Sequence, residues 1–318
     1  MASVAEREFL PASRRRRLSR RRVGQVAAPY VLLAPAAAVV GVVLAYPLYL
    51  LAKMSFQKYG VFELIRHKGH WLGTANYASI FHDAEFWRVV LRTVAFTAVC
   101  VSLTMVLGTA IALLLLQVSR IVRVALTTGL VLVWAIPTIV AVNLWHWMVD
   151  YEFGVANWTL TKLHLGNFIR HDWFANPWTG FGVFTALIVW GAIPFVTITV
   201  YAGLAQVPRE LVEAAEIDGA SSLRVFRDVT FPVLKPIFLI LTSLSIIWDF
   251  GVFTQPYLLI GKEHLDSSNY VMGVYVFIEG YLKNEYGRGA AISLLMLLMV
   301  AVMSVFYVRR MVKMGDAR

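Results

Sequence analysis

Pro208-Arg-Glu-Leu-Val-Glu-Ala-Ala-Glu-Ile-Asp218-Gly219 is the stretch of this chain that carries the most structural information. A proline at the first position of a helix pre-sets the backbone dihedral angle, so a short helix is predicted to start here. Leu211, Ala214 and Ala215 then share one face at helical spacing. Gly219 is predicted to end the helix, because glycine readily takes the left-handed conformation that closes a helix.

A second short helix is predicted to follow this glycine turn. Ser221 or Ser222 can cap its start, and the helix is predicted to end before Pro232. Segment 207–236 therefore forms a compact helix–turn–helix, which we call the knob. The knob has a small-residue face and an acidic edge made by Glu210, Glu213 and Glu216. A linker lying on a membrane surface is the alternative, but it does not account for an alanine face beside a sharp turn.

The rest of the chain is strongly apolar. Of its 318 residues, 59% are hydrophobic and 15% are charged, whereas a soluble domain has about 25% charged residues. A helix needs about 20 residues to cross a bilayer. Six stretches are long enough, namely 29–51, 89–116, 125–148, 182–205, 237–260 and 289–308. We therefore predict an all-α integral membrane protein with six transmembrane helices.

The distribution of basic residues predicts the orientation in the membrane. With the N-terminus in the cytoplasm, 18 of the 29 Lys and Arg residues fall on the cytoplasmic side, as the positive-inside rule requires. The predicted organisation is a basic cytoplasmic arm (1–28), a six-helix transmembrane domain (29–310) with a cytoplasmic knob, and a cytoplasmic tail (311–318). The arm is expected to set topology or to contact anionic lipid, and no nucleic-acid partner is expected.

Several features within the spans indicate bends, close packing and an internal path. Prolines that bend or end helices are Pro35, Pro47, Pro137, Pro194 and Pro256. Gly108 and Ala112 form a small-xxx-small pair that lets two helices approach closely. Asp249 is an acidic residue within the fifth span, where ionisable groups usually face an interior. It either accepts hydrogen bonds from substrate hydroxyls or pairs with a polar neighbour such as Asn143.

The candidate residues of the substrate path are polar or aromatic side chains on the third, fourth and fifth spans. They are Asn143, Trp145, Trp190, Thr197, Thr199, Trp248, Asp249 and Gln255. Each of these positions other than Asp249 is also compatible with simple packing.

Sequence motifs of catalysis are missing. There is no phosphate-binding G-x-x-x-x-G-K-[ST] loop, because Gly261-Lys262 is followed by Glu263 and lacks the upstream glycine. There is also no H-E-x-x-H, C-x-x-C or G-x-S-x-G motif. We therefore expect no enzymatic activity, no ATP hydrolysis, no catalytic residue, no metal site and no cofactor bound by this chain.

The knob resembles the EAA loop of ABC-importer membrane subunits. That loop has Glu-Ala-Ala, three residues, glycine, nine residues, and then an apolar residue two positions before Leu-Pro. Here Glu213-Ala214-Ala215 is followed at the same spacing by Gly219, Val229 and Phe231-Pro232. In the family, the loop is the coupling helix that docks on an ATPase subunit. By resemblance, that role falls on Glu213, Ala214, Ala215, Asp218, Gly219 and Pro232.

The resemblance extends over most of the chain and is closest to the maltose-type sugar permeases. Tyr30-Val-Leu-Leu-Ala-Pro35 is similar to the start of the family's first span, and Ile217-Asp218-Gly219-Ala220 to its most recognisable run. The resemblance implies a type I importer permease fold in the cytoplasmic membrane of a prokaryote. The implied partners are a second homologous permease, two ABC ATPases that use ATP and Mg²⁺, an extracytoplasmic solute-binding protein and a di- or oligosaccharide.

Two other classes of function remain as alternatives. An ion-gradient-driven secondary transporter would normally carry several ionisable residues inside the membrane, whereas Asp249 is the chief one here. A membrane enzyme acting on lipid-linked sugars would need paired carboxylates or a metal motif at a membrane face. Neither alternative needs a docking knob.

Overall fold

The computed structural model describes the backbone of residues 12–261 and 266–315, and the side chains of residues 30–261 and 266–310. Lys262 and Glu263, which follow the fifth span, lie outside the described residues, as do the side chains of the predicted arm and tail. The chain divides into a unit that ends at Met54 and a unit that starts at Ser55.

The described residues are almost entirely helical. The long helices are α1 (Ala12–Ser55), α4 (Ala84–Gln117), α5 (Arg120–Trp134), α6 (Thr138–Met148), α8 (Pro177–Leu204), α11 (Phe231–Phe250) and α14 (Tyr286–Gly315). The short helices are α2 (Val61–Arg66), α3 (Ala75–Phe81), α7 (Val155–Lys162), α9 (Arg209–Ile217), α10 (Ser222–Val225), α12 (Thr254–Ile260) and α13 (Met272–Phe277). Strands β1 (Gln57–Lys58) and β2 (His70–Trp71) pair antiparallel.

Within the described residues, the prediction of six membrane spans is confirmed. Helical stretches long and apolar enough to cross a bilayer are Tyr30–Ser55, Ala84–Gln117, Pro177–Leu204, Ser222–Ile260 and Tyr286–Arg310. The bent pair of α5 and α6 makes a sixth span when it is taken as one crossing. Helix α1 begins at Ala12, so its backbone is helical well before the predicted first span, and its side chains from Tyr30 onward are largely exposed.

The third span is not the continuous helix predicted over 125–148. It starts at Arg120 and breaks between Trp134 and Thr138, where α5 and α6 meet at 99°. The cause is Pro137, which has no backbone N–H and disfavours helical geometry at the residue before it. Pro194, by contrast, is accommodated within α8.

The second helix of the knob does not end before Pro232, so that prediction was wrong. Helix α10 runs through a π-helical turn (Phe226–Thr230) directly into α11. Pro232 is the second residue of α11, directly after the π-helical turn, and it has no N–H to donate to a carbonyl of that turn. The fifth span breaks later, between Phe250 and Thr254, just before α12.

Helices α4 and α8 pack closely through small residues. Gly108 is buried on α4, and a Cβ atom placed on it would lie 2.7 Å from Cγ1 of Val196 on α8. Ala112, one turn further along α4, is fully buried in the same apolar cluster as Val196. The predicted small-residue pair is therefore a packing surface.

A charged cluster ties the start of α4 to the start of α14. Arg288 donates from Nη2 to Oδ2 of Asp83 at 2.5 Å and from Nε to Oε2 of Glu279 at 2.9 Å. Tyr275 donates its hydroxyl to Asp83 at 3.2 Å. Burial raises the pKa of Asp83, but hydrogen bonds from the Glu85 N–H, Tyr275 and Arg288 outweigh burial and leave that pKa below its ordinary value.

Candidate functional site

A cavity of about 390 Å³ lies where the two broken spans face the middle of α8. The break between α5 and α6 supplies one wall, α8 the second, and the end of α11 with the start of α12 the third. The lining residues are Val133, Trp134, Ile136, Thr138, Ala141, Leu187, Ile188, Trp190, Gly191, Ala192, Phe195, Trp248, Asp249, Val252 and Gln255. Broken helices suit this location, because irregular backbone at membrane depth occurs where it lines a cavity or is buried in protein.

Aromatic rings form a continuous side of this cavity. Trp134 stacks on Phe195 with ring centroids 6.1 Å apart, and Phe195 meets Trp248 edge to face at 5.4 Å. Trp190, on the same helix as Phe195, packs against Trp145 at 6.0 Å. Such flat apolar faces are the surfaces on which a pyranose ring can stack.

Asp249 is the acidic group of the cavity. The residue is 6% exposed, and its Oδ2 atom has no hydrogen-bond partner among the described residues. Pairing with Asn143 is not found, because Asn143 is exposed on α6 and does not line the cavity. A buried carboxylate oxygen without a donor is costly, so Asp249 is an acceptor available to a donor that enters the cavity.

The structure brings four of the eight candidate path residues together. Trp190, Trp248, Asp249 and Gln255 line the cavity, and Trp145 packs behind Trp190. Besides Trp145, the candidates that do not line it are Asn143, Thr197 and Thr199. Thr197 is fully buried where α8 meets Gly108 of α4.

Sequence reasoning missed two aromatic residues of the cavity wall, Trp134 and Phe195. Each lies within three residues of a span proline, Pro137 or Pro194. A search for aromatic residues beside span prolines would have found both.

The turn between the two helices of the knob has the backbone geometry predicted for its glycine. Gly219 has a φ angle of +78°, with open space where a side chain would project. The Ala220 N–H donates to the Ala215 carbonyl, and the Gly219 N–H donates to the Glu216 carbonyl, each at 3.0 Å. This paired arrangement satisfies the last carbonyl groups of α9. Ser221 then starts α10, although its side chain makes no capping bond.

The surface of the knob is largely exposed. Ile217 and Leu223 are 86% and 77% exposed, and Leu211 is 50% exposed. The acidic edge predicted from the sequence is exposed as well, and it consists of Glu210, Glu213 and Glu216. Exposed large apolar side chains beside charges are typical of a protein docking surface.

The base of the knob is anchored in the helix bundle. Leu204 at the end of α8 and Leu234 in α11 belong to one buried cluster, and Val207 packs against it. Gly203 permits the close approach, since a Cβ there would lie 2.6 Å from Cδ1 of Ile237. Both ends of the knob thus continue into packed helices, so force on the knob reaches α8 and α11 directly.

Metal ligands do not cluster in the part of the chain that the structure describes. There, no group of three or more His, Cys, Asp or Glu side chains could hold a metal ion.

Comparison with known proteins identifies the class to which this fold and site belong. The family model described as "Binding-protein-dependent transport system inner membrane component" matches residues 104–313, which include the cavity and the knob. The chain belongs to this family. It is a multi-pass inner-membrane protein and a permease subunit of the ABC-importer type.

Individual relatives agree with this assignment. The diacetylchitobiose uptake system permease protein DasB of Streptomyces coelicolor is 40% identical over 289 residues, which cover 91% of this chain and 88% of DasB. The trehalose/maltose transport system permease protein MalF of Thermococcus litoralis is 33% identical over 75% of this chain and 79% of its own length. The resemblance to carbohydrate-type ABC-importer permeases is therefore confirmed.

The fold has a match among solved structures. A bacterial ABC transporter involved in the import of the acidic polysaccharide alginate aligns with a TM-score of 0.77 at 19% identity, covering 92% of this chain and 98% of that chain. At this identity the match concerns the fold alone, and it confirms the predicted type I importer permease fold.

Proposed function

We propose that this permease moves a sugar, a di- or oligosaccharide, inward across the cytoplasmic membrane with energy from ATP hydrolysed by partner subunits. The observation that carries the proposal is the closed, exposed knob whose two ends continue into the helices that line the cavity. The sugar class is supported by the relatives, whose names specify diacetylchitobiose and trehalose or maltose.

The proposed topology places both termini and the knob in the cytoplasm. The excess of Lys and Arg in the arm (1–28), in the loops on the knob's side and in the tail (311–318) supports this orientation. The Asp83–Arg288 cluster then lies at the opposite, extracytoplasmic end of the bundle, because helices α4 and α14 both start there.

The proposed assembly contains this chain, a second homologous permease, two ABC ATPases and an extracytoplasmic solute-binding protein. The ATPases bind ATP and Mg²⁺, and this chain binds neither. Each ATPase grips one knob through the residues Glu213, Ala214, Ala215, Asp218, Gly219 and Pro232 or their counterparts. Dependence on a binding protein follows from the family, whereas the number of subunits is part of the proposal.

ATP-driven closure of the ATPases would move the two knobs, and the knobs would move α8 and α11. Helices α8 and α11 carry the proposed substrate contacts Trp190, Trp248 and Asp249, and the fourth contact, Gln255, lies on α12. The aromatic faces stack on the sugar, while Asp249 and Gln255 bond to its hydroxyl groups. Trp145, Thr197 and Thr199 do not line the cavity and are proposed to act through packing, while Asn143 is exposed on α6 outside the cavity.

Uptake into proteoliposomes tests this proposal. The complete complex is reconstituted with its binding protein, and entry of labelled diacetylchitobiose or maltose is measured with ATP inside and ionophores collapsing all ion gradients. ATP-dependent accumulation under these conditions is the expected result. Uptake that needs an ion gradient and ignores ATP would contradict the proposal and favour a secondary transporter.

A further inference from the structure

The described residues that line the cavity include one acidic side chain and no basic one. Of the described residues that line it, Asp249 is the one with an ionisable side chain, and the others are apolar, aromatic, hydroxyl or amide groups. Arg92, a basic residue of α4, does not line the cavity and donates to the carbonyls of Ser267 and Tyr270 at 2.7 and 3.0 Å.

No basic side chain among the described lining residues offsets the charge that Asp249 carries in its ionised form. The Oδ2 atom of Asp249 has no hydrogen-bond partner among the described residues. The start of α6 at Thr138 contributes only the partial positive charge of a helix N-terminus, about half an elementary charge, so it does not cancel a carboxylate.

We infer that Asp249 determines the charge selectivity of the cavity, which admits neutral and amine-bearing sugars and rejects anionic ones such as uronates and sugar phosphates. The inference rests on the proposed transport of sugars, but it concerns a property of the cavity that is measurable without any sugar. Neutral hydroxyl groups donate to the carboxylate, whereas an anionic substituent meets like-charge repulsion at close range.

Charged thiol reagents test this inference in the assembled complex. The chain has one cysteine, the buried Cys100, so Cys100→Ala gives a background without thiols in this subunit. Thr138→Cys then places a reporter on the cavity wall, and Ser119→Cys at the exposed turn between α4 and α5 serves as the matched control. Modification rates are measured for a trimethylammonium and a sulfonate methanethiosulfonate reagent, each with Asp249 intact and with Asp249→Asn.

Relative to the control position, we expect the cationic reagent to be favoured by about tenfold at Thr138→Cys, because an ionised carboxylate on the cavity wall attracts a cation and repels an anion at short range. In the Asp249→Asn background, the ratio of cationic to anionic modification rates at Thr138→Cys falls to the ratio measured at Ser119→Cys. The ratio at Ser119→Cys itself does not change. An equal preference with and without the carboxylate would overturn the inference. So would absence of labelling at Thr138→Cys by either reagent, because the cavity would then not admit a small solute.

The proposed importer function and the inferred charge selectivity can be contradicted independently of each other. ATP-dependent uptake by the parent complex reports on the importer function whatever the reagents show. A charge preference that depends on Asp249 reports on the cavity whatever the uptake assay shows. Assembly of the Asp249→Asn complex is verified by size-exclusion chromatography before labelling.

Discussion

The backbone N–H of Ala220 donates to the carbonyl of Ala215 across 3.0 Å, and this bond closes the end of α9 at the turn that leads into α10. Ala215 is the last residue of the Glu-Ala-Ala run, so the sequence motif and the helix closure coincide. The intervening Gly219 makes the bond possible through its φ angle of +78°. The knob is thus held as one body, as a segment that transmits force has to be.

Replacement of Gly219 by alanine is expected to loosen the knob. A side chain at positive φ is strained by about 1–2 kcal/mol, although no atom would obstruct it. We predict a several-fold drop in the ATPase activity that substrate-loaded binding protein stimulates in the reconstituted complex. Gly73→Ala is the matched control, because Gly73 has a φ angle of +61° and open space but lies far from the knob in the sequence. Equal loss in both variants would point to general destabilisation.

Replacement of Gly108 by alanine is expected to create a steric clash where α4 meets α8. Gly108→Ala places a Cβ 2.7 Å from Val196, and overpacking of this kind costs about 1–3 kcal/mol. Thermal unfolding in detergent should therefore occur at lower temperature. The double variant Gly108→Ala/Val196→Ala should recover part of the loss, and Gly129→Ala, where nothing lies within 4 Å, should change little. Additive effects of the two substitutions would show that the residues do not contact each other.

Loss of Arg288 is expected to destabilise the bundle. The side chain of Glu279 is 7% exposed, and Arg288→Met leaves this buried carboxylate without the Nε donor. Removal of one partner from a buried ion pair typically costs about 3–5 kcal/mol, and the remaining salt bridge from Lys283 to Oε1 of Glu279 places this loss toward the lower end. Thermal unfolding should reveal this loss, and Arg88→Met at an exposed ion pair is the control. Similar unfolding temperatures for the two variants would contradict the account of the cluster.

Acid should weaken the same cluster through Asp83. Because hydrogen bonds lower the pKa of Asp83 in the folded protein, its stabilising contribution is present above the ordinary aspartate value of 3.8 and is lost as the pH falls through the lowered value. We predict that the Asp83→Asn variant loses less stability than the wild type when the pH falls from about 6 to about 3. Parallel pH profiles of the two proteins would show that Asp83 does not contribute.

The carboxylate in the cavity is expected to matter for transport and not for assembly. Asp249→Asn keeps the size of the side chain but removes its charge and one acceptor. We predict lower sugar uptake with unchanged recovery of the assembled complex. Unchanged transport kinetics in this variant would remove Asp249 from the substrate path.

Six spans and the knob follow from the sequence because both depend on local physics. Span length and apolar composition are set by the bilayer, and the end of α9 is set by the conformational freedom of one glycine. The continuity of α10 into α11 could not be foreseen, because Pro232 is compatible with either a helix end or a first turn.

The cavity could be predicted only in part. Asp249 and the tryptophans Trp190 and Trp248 stand out as polar or large residues within apolar spans. Thr197 has the same appearance, yet it faces α4. Which side of a span faces the cavity depends on helix rotation and on the 99° bend at Pro137, and both arise from tertiary packing.

The central claim is that the knob couples this chain to an ATPase, and co-purification tests it most directly. Tagged wild-type chain and the Glu213→Lys variant are extracted in mild detergent with the ATPase subunits of the host, and Glu152→Lys on the opposite side serves as the control. We predict that wild type and Glu152→Lys retain the ATPase and that Glu213→Lys loses it. Failure of the wild-type chain to retain any ATPase would contradict the account.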